Sequence, residues 1–494
     1  MLLGLLAILL GAIAPPAVAA DHQEPAAASL APVAQAAARC TPRSRHYRTM
    51  PSSHPSPYCV SLHRPEGAAR AHVLLTPRRM PRPPHGQNAA MIVSPQGRLL
   101  WYLPRRERVY DLKMVTYRGR PHLAVHVRTG EADGVFELRD ARYRVVKRIA
   151  FGAPYRTDLH ELRLTRQGTA YLGAYRRLRM RGVGVVTEYV VREIDLDTGR
   201  VLFEWHSLDD VPLARTFRPQ PRRGTWDYFH GNSIEPPVPG DPTVIVSARN
   251  TAAVYGIDRA SGELRWVLGG KSDDFGIARG GTRFCAQHAA RRLPNGDVTL
   301  FDNGGRGNTE AGCPRHASRV MRFRLDHERR SARLVRTLSS RRSSGAGESL
   351  LPVGFGNAQM LPSGNMLVSW GTSGFVSEVS PSGAPRFALD LPNASYRAVA
   401  APWTGRPGGR PALAARRRAG GVDAWASWNG ATEITRWCPL AGRDRRRLRA
   451  AGRCVRFADL ETRLRIPRRA RFVGARALDA RGRELGRSGA RRVR

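Results

Sequence analysis

Lysine is nearly absent: Lys113, Lys147 and Lys271 are the three lysines among 81 basic side chains. The formal net charge of +41 would alone suggest a polyanionic partner. Selection for phosphate binding gives no reason to exclude lysine, whereas arginine-favouring codons do. The densest basic runs, Arg416-Arg417-Arg418 and Arg445-Arg446-Arg447, lie in turn-rich sequence. No zinc-finger, helix-turn-helix or RNA-recognition pattern accompanies them, so a solvated basic surface is expected and nucleic acid is not. Aromatic residues are only 7% of the chain, so the core must be largely aliphatic. Helical periodicity is scarce. The absence of C-x-x-C argues against a cysteine zinc site. There is no carboxylate-rich magnesium cluster and no phosphate-cradling glycine loop, which disfavours nucleotide phosphoryl transfer. Gly269-Gly270 reads as a turn, and so does Asp302-Asn303-Gly304. After the N-terminus, no apolar run is long enough to span a bilayer.

What is present begins with residues 1–20, an apolar run ending in A-P-P-A-V-A-A. It reads as a secretory signal peptide, with a retained anchor as the alternative. Residues 21–57, rich in Ala, Pro, Ser and Arg, read as a flexible lead-in. Six cysteines follow the export signal: Cys40, Cys59, Cys285, Cys313, Cys438 and Cys454. Disulfides are therefore expected. The simplest connectivity is local: Cys40–Cys59, Cys285–Cys313 and Cys438–Cys454.

Residues 58–402 are short strand-like runs broken by turns. One phrase recurs: an apolar run, a turn ending in glycine, and a second apolar run. It appears as L-T-R-Q-G-T-A-Y-L-G, L-P-N-G-D-V-T-L-F and L-P-S-G-N-M-L-V-S-W. A second phrase, I-D-x-x-[ST]-G, leads to a tryptophan at Ile194–Trp205 and Ile257–Trp266. Both are hairpin signatures. Their repetition every roughly 50–70 residues predicts an all-β fold, a six-bladed β-propeller, with seven blades as the alternative. Five blades read directly, and the sixth combines 70–103 with a strand near 395–402. From about 404 to 494 a different alternation predicts a small β-sandwich of fibronectin type III character, structural or interactive in role.

Aligning the turn glycines brings candidate residues into one column. Asp111, His160, Asn232, His288 and Gly356 each lie eight residues before a turn glycine, and Asn357 adjoins the last. An even offset keeps side chains on one face of a strand. If the column marks the start of the inner strand, it converges on the propeller channel. His230 lies two residues from Asn232, and Arg249 follows in the same repeat. Three histidines with an arginine suggest two chemistries. One is a zinc or copper site of three imidazoles. The other is nucleophilic attack by a neutral imidazole on sulfur or phosphorus, with Arg249 clamping the oxygens and Asn232 donating a hydrogen bond. A non-catalytic propeller that binds an anionic ligand would need the same residues.

The ordered series D-L-H-E-L, H-G-N-S-I, V-S-A-R-N, I-D-R-A-S-G-E-L-R-W-V-L-G-G, Q-H-A-A-R and L-F-D-N-G resembles the PAPS-independent arylsulfotransferase (ASST) family over about 58–402. S-W-N-G-A-T-E and L-D-A-R-G-R-E-L-G-R-S resemble the C-terminal domain of actinobacterial and fungal relatives. The resemblance implies a six-bladed propeller outside the cytoplasm, secreted or in the cell envelope. It implies sulfuryl transfer from a small aryl sulfate to a phenol, with no metal and no organic cofactor. It makes His288 the transiently sulfated nucleophile and His160 the acid/base. His230, Asn232 and Arg249 become the groups on the sulfuryl oxygens, and Thr372 a substrate-binding residue; Asn357, from the column, is a second. A Cys285–Cys313 bond would brace the site.

Overall fold

The computed structural model describes residues 40–78, 86–130, 133–277, 282–305, 316–339, 353–467 and 469–493. The expected signal peptide lies outside these residues. Among them, six sheets each contain a path of four antiparallel strands. The first five run in chain order, with inner strands Val109–Tyr117, Arg156–Leu164, Gly231–Glu235, His288–Arg292 and Asn357–Met360. The sixth joins the two ends of the ring: Ser395–Ala401 pairs with His72–Pro77, followed by Asn88–Val93 and Leu99–Arg105. Each inner strand neighbours the next, and the sixth neighbours the first. The result is a closed β-propeller, and its sheets are called blades one to six below.

Side-chain alternation explains the ring. Each blade presents apolar residues on both faces, so each gap between blades fills with its own core. Leu123 and Leu138 of blade one meet Leu162 and Leu172 of blade two. Tyr189 and Val191 of blade two meet Val244 and Val246 of blade three. Val254 meets Leu300, and Phe301 meets Trp370. Val73 and Leu75 meet Leu367 and Val376. The recurrent turns set the register. In L-P-N-G-D, Gly296 at φ +84° lets its N–H reach Leu293 O, a conformation unfavourable for other residues. In the I-D-x-x-[ST]-G phrase, Asp195 Oδ1 accepts from the backbone N–H of Asp197 and Thr198, and Asp258 Oδ1 from Ala260 and Ser261. These aspartates fold the hairpin on themselves.

The residues after the propeller form two facing sheets. One is Ala412–Arg418, Gly421–Ser427 and Glu461–Ile466. The other is built on Arg436–Gly442 and Phe472–Leu478. Trp437, Leu464, Ile466 and Val473 fill the space between them, in one continuous core with Leu74, Trp101 and Leu123 of the propeller. The turn in S-W-N-G makes the junction. Asn429 accepts from Tyr102 N–H and donates to Tyr102 O, both at 2.8 Å. Tyr143 O–H donates to Gly430 O at 2.8 Å, and a Cβ on Gly430 would lie 2.2 Å from the Tyr143 ring. Deleting 404–494 should therefore expose Trp101, Leu100 and Trp403 and yield aggregated protein, which size-exclusion chromatography would report. A soluble, monodisperse fragment would contradict the shared core.

The lead-in expected to be free up to residue 57 is packed from Cys40 onward. Cys40 is bonded to Cys59. Tyr47, Ser53 and Ser56 are buried. Arg45 pairs with Asp459 at 3.0 Å, and Thr49 Oγ1 donates to Glu461 at 2.6 Å. Local composition resembled a linker, but distant carboxylates of the second region hold it down. Cys438–Cys454 is also bonded as expected. Cys285 is not free, and its expected partner Cys313 lies outside the described residues.

Candidate active site

Asp111, His160, Asn232, His288 and Asn357 all lie on inner strands of successive blades. In the first four blades the ladder to the second strand slips at this place. The chain enters the inner strand through strained residues. Asp111 (φ +51°), His230 (φ +55°), Ala286 (φ +52°) and Ala289 (φ +53°) are all left-handed. Such conformations cost about 1–3 kcal/mol each and persist where the surroundings impose them. Here the slip interrupts the regular alternation of the strand beside these residues.

The three histidines are neighbours. Ring centroids of His160 and His230 are 5.2 Å apart, and those of His160 and His288 are 6.3 Å apart. Each Nδ1 is occupied. His160 Nδ1 donates to Asp158 Oδ1 at 2.6 Å, and Tyr189 O–H donates to Asp158 Oδ2 at 3.2 Å. His230 Nδ1 donates to Asp227 Oδ2 at 2.5 Å. Burial would raise the Asp227 carboxyl, but His230, Arg218 and Arg249 hold it below the ordinary value. His288 Nδ1 lies 2.7 Å from Asn303 Oδ1 and 3.0 Å from Ala286 O. Asn303 Nδ2 donates to Phe355 O, which fixes Oδ1 toward the histidine. Both neighbours of His288 Nδ1 are thus acceptors. The ring hydrogen must sit on Nδ1, and Nε2 carries a lone pair. Burial pushes the His288 imidazole well below the ordinary histidine value, and His160, Arg249 and His230 push the same way against the Asn303 hydrogen bond. His288 is therefore neutral at pH 7.

Arg249 follows the second strand of blade three and is half-buried. Its N–H donates to His230 O at 2.9 Å, and its guanidinium donates to Asn250 Oδ1 at 3.0 Å. Asn232 is fully buried, and Nδ2 donates to Gln287 O at 2.7 Å. It holds the residue preceding His288, and the second N–H of its amide is the one left for the expected bond to developing charge. Asn357 is reassigned. Its Nδ2 donates to Ala398 O at 3.0 Å and its Oδ1 accepts from Ala398 N–H at 3.1 Å, so its amide ties blade five to the closing strand. Thr372 Oγ1 accepts from Val353 N–H at 3.1 Å in a short turn, and no contact joins it to the histidines among the described residues. The three imidazoles do not assemble a metal set. Among the described residues, the only His/Cys/Asp/Glu group within mutual ligand reach is Cys40, Cys59 and Asp390, whose sulfurs are bonded to each other.

Sequence reasoning missed the charged layer beside the histidines. Arg397 of the closing strand donates to Asp111 Oδ1 at 2.9 Å and to Asn232 O at 3.1 Å, and lies 3.2 Å from Glu161 Oε2. Lys113 bridges Asp111 at 2.6 Å and Glu161 at 2.7 Å, and Arg291 also pairs with Glu161. Burial would raise Glu161, but Arg291, Arg397, Lys113 and Arg163 hold it well below the carboxylate range. Tyr396 O–H donates to His160 O at 3.2 Å; burial pushes its phenol well above the ordinary value, so it remains a donor. A pocket of about 350 Å³ opens beside the cluster, with His160, His230, Tyr175 and His126 among its walls.

The arylsulfotransferase (ASST) family model matches residues 137–390, just over half of the chain. That stretch holds His160, His230, Asn232, Arg249 and His288. No curated protein matches. Partial likenesses occur among solved structures. One is a protein of unknown function from Bacteroides caccae, with 13% identity over 67% of this chain and 99% of that chain and a TM-score of 0.43. Another is hydrazine synthase of Kuenenia stuttgartiensis, with 13% identity over 60% of this chain and 72% of that chain and a TM-score of 0.34. A third is a catalytically inactive virginiamycin B lyase from Staphylococcus aureus with quinupristin, with 11% identity over 77% of this chain and 94% of that chain and a TM-score of 0.28. At these scores none bears on the chemistry.

Proposed function

Because the chain belongs to the arylsulfotransferase family, we propose that it moves a sulfuryl group from an aryl sulfate to a phenol through a covalent sulfo-His288, without a nucleotide donor. The observation that carries this reading is the tautomer of His288. Two acceptors on Nδ1 leave a lone pair on Nε2, and burial keeps the ring neutral. Nε2 attacks sulfur, and the bond from sulfur to the aryl oxygen breaks. The departing oxygen keeps the electron pair and takes a proton from His160 Nε2, whose imidazolium is held by Asp158. An acceptor phenol then returns a proton to His160. Its oxygen attacks sulfur, and the N–S electron pair goes back to His288. Arg249 supplies positive charge to the sulfuryl oxygens throughout, with His230 beside them. Asn232 and Asn303 position His288.

Location outside the cytoplasm is part of the proposal; the Cys40–Cys59 and Cys438–Cys454 bonds support it. The second region, read as fibronectin type III-like, serves as a brace for the propeller. The test of the reaction is release of nitrophenol from nitrophenyl sulfate that depends on an added phenol and gives parallel double-reciprocal plots. Release independent of acceptor, or none, would refute it.

The pH dependence has a definite sign. The neutral ring is the nucleophile, and its folded-state pKa lies below the ordinary value of about 6.5. The nitrophenol burst is therefore retained as pH falls through the ordinary histidine range. It is lost only when pH passes the depressed pKa. Stopped-flow burst amplitudes across acidic buffers check this, and an acid limb centred at or above the ordinary value would contradict it.

A further inference from the structure

The pocket beside His160 and His230 has walls of two kinds. Tyr175 and His126 give it aromatic sides. The His126 ring is wedged against Gly134, where a Cβ would lie 2.2 Å from Cε1, and stands edge-on to Phe136 at 5.0 Å. Burial, with a smaller contribution from His160, pushes its pKa down to about 4, so it adds no charge at pH 7. The rim is basic: Arg128, Arg156 and Arg177 line the same space. Three carboxylates also line it, but two are committed, Asp158 to His160 and Asp227 to His230. The third, Asp133, has one oxygen that accepts from Gly134 and Thr157 N–H, and Arg128 Nε donates to Gly130 O at 2.8 Å.

Orientation follows from the chemistry. A phenolic oxygen must reach His160 to exchange its proton. Arg249 and His288 do not line the pocket, so the sulfuryl group lies on the other side of the histidines. An aryl ring placed this way would lie along the wall of Tyr175 and His126, in the space that the arginines also line. The volume of about 350 Å³ accommodates one or two rings. We propose that this pocket is a subsite for phenols bearing a carboxylate on the side opposite the reacting hydroxyl, with Arg128, Arg156 and Arg177 as the specificity-determining groups. The inference rests on the proposed sulfuryl transfer for its substrate orientation. Guanidinium groups suit a carboxylate because they form paired, charge-assisted hydrogen bonds.

The test compares para-hydroxyphenylpropanoate with its methyl ester as acceptors at saturating nitrophenyl sulfate. It adds direct binding of both compounds by calorimetry. The acid should be favoured by about tenfold in kcat/KM and in affinity, the scale of one charge-assisted hydrogen bond. In Arg128→Gln and Arg177→Gln the acid-to-ester ratio should fall toward one. Equal use of acid and ester would overturn the inference while leaving the transfer reaction standing. A preference unchanged in both variants would overturn it as well. Preferential, arginine-dependent binding of the acid without any turnover would support the subsite and refute the reaction. Failure of both compounds to bind would overturn the subsite.

Discussion

His288→Ala is expected to lower sulfuryl transfer by at least about 10⁴-fold, because it removes the atom that carries the group between substrates. No other described group takes its place. His160 and His230 have their Nδ1 atoms on Asp158 and Asp227; in the proposed reaction His160 exchanges the phenolic proton and His230 lies beside the sulfuryl oxygens. The fold should survive. The lost ring is only 2% exposed, and its removal leaves Asn303 Oδ1 without its imidazole partner. Together these effects cost about 2–4 kcal/mol. Circular dichroism should therefore be native-like while the nitrophenol burst disappears. Asn303→Ala offers a graded comparison. The ring stays, but one acceptor that fixes its tautomer is gone, so the rate should fall by roughly 10–10²-fold. Wild-type rates in His288→Ala would end the mechanism.

Arg397→Met is expected to destabilise the propeller by about 3–5 kcal/mol, the usual result of removing one partner from a buried ion pair. Asp111 and Glu161 are both fully buried and would retain Lys113, with Arg291 also on Glu161, but would lose the fork from the closing strand. The same guanidinium holds the backbone O of Asn232, the residue whose side-chain amide holds Gln287. Closure of the ring and placement of His288 therefore share one side chain. Urea midpoints should fall sharply and kcat should fall with them, while Arg397→Lys should recover part of the stability and less of the rate. A loss below about 1 kcal/mol would show that the layer is solvated enough to compensate.

The contrast between His160 and Arg397 shows what the sequence made legible. Blades one to five each carry a turn whose glycine lies a fixed distance after the inner-strand residue. Counting back from Gly119, Gly168, Gly240 and Gly296 therefore reaches Asp111, His160, Asn232 and His288. Arg397 occupies the corresponding slip in blade six, where Ala398 pairs with Leu75 and Ser395 with Pro77. Its partner strand comes from the other end of the chain, so no turn follows it and no offset can be counted. Asp158 was readable, since it lies two residues before His160 on the same strand. Asp227 was not: the left-handed His230 turns its ring back, which no period-two rule predicts. Asn303 was hidden inside a turn signature, although its side chain faces His288. Asn357 was over-read, because position in the column cannot distinguish a channel group from an amide spent on Ala398.

Residues 40–57 and S-W-N-G carry the corresponding lesson for the fold. Proline, serine and arginine made the first look free, and its anchors are Cys59, Asp459 and Glu461, far away in sequence. The second contributed a recognisable motif, but its use, clasping Tyr102 and Tyr143, depends on where the sandwich docks. Patterns within a hairpin were legible, and contacts across the ring or between the two regions were not.

The central claim is that His288 carries the sulfuryl group. The most direct measurement is peptide mass spectrometry of protein mixed briefly with excess nitrophenyl sulfate and held at alkaline pH. The predicted result is an added mass of about 80 Da, one SO₃ unit, on the peptide containing His288, lost when a phenol is added. Nitrophenol release with the added mass on another residue, or with none, would contradict it.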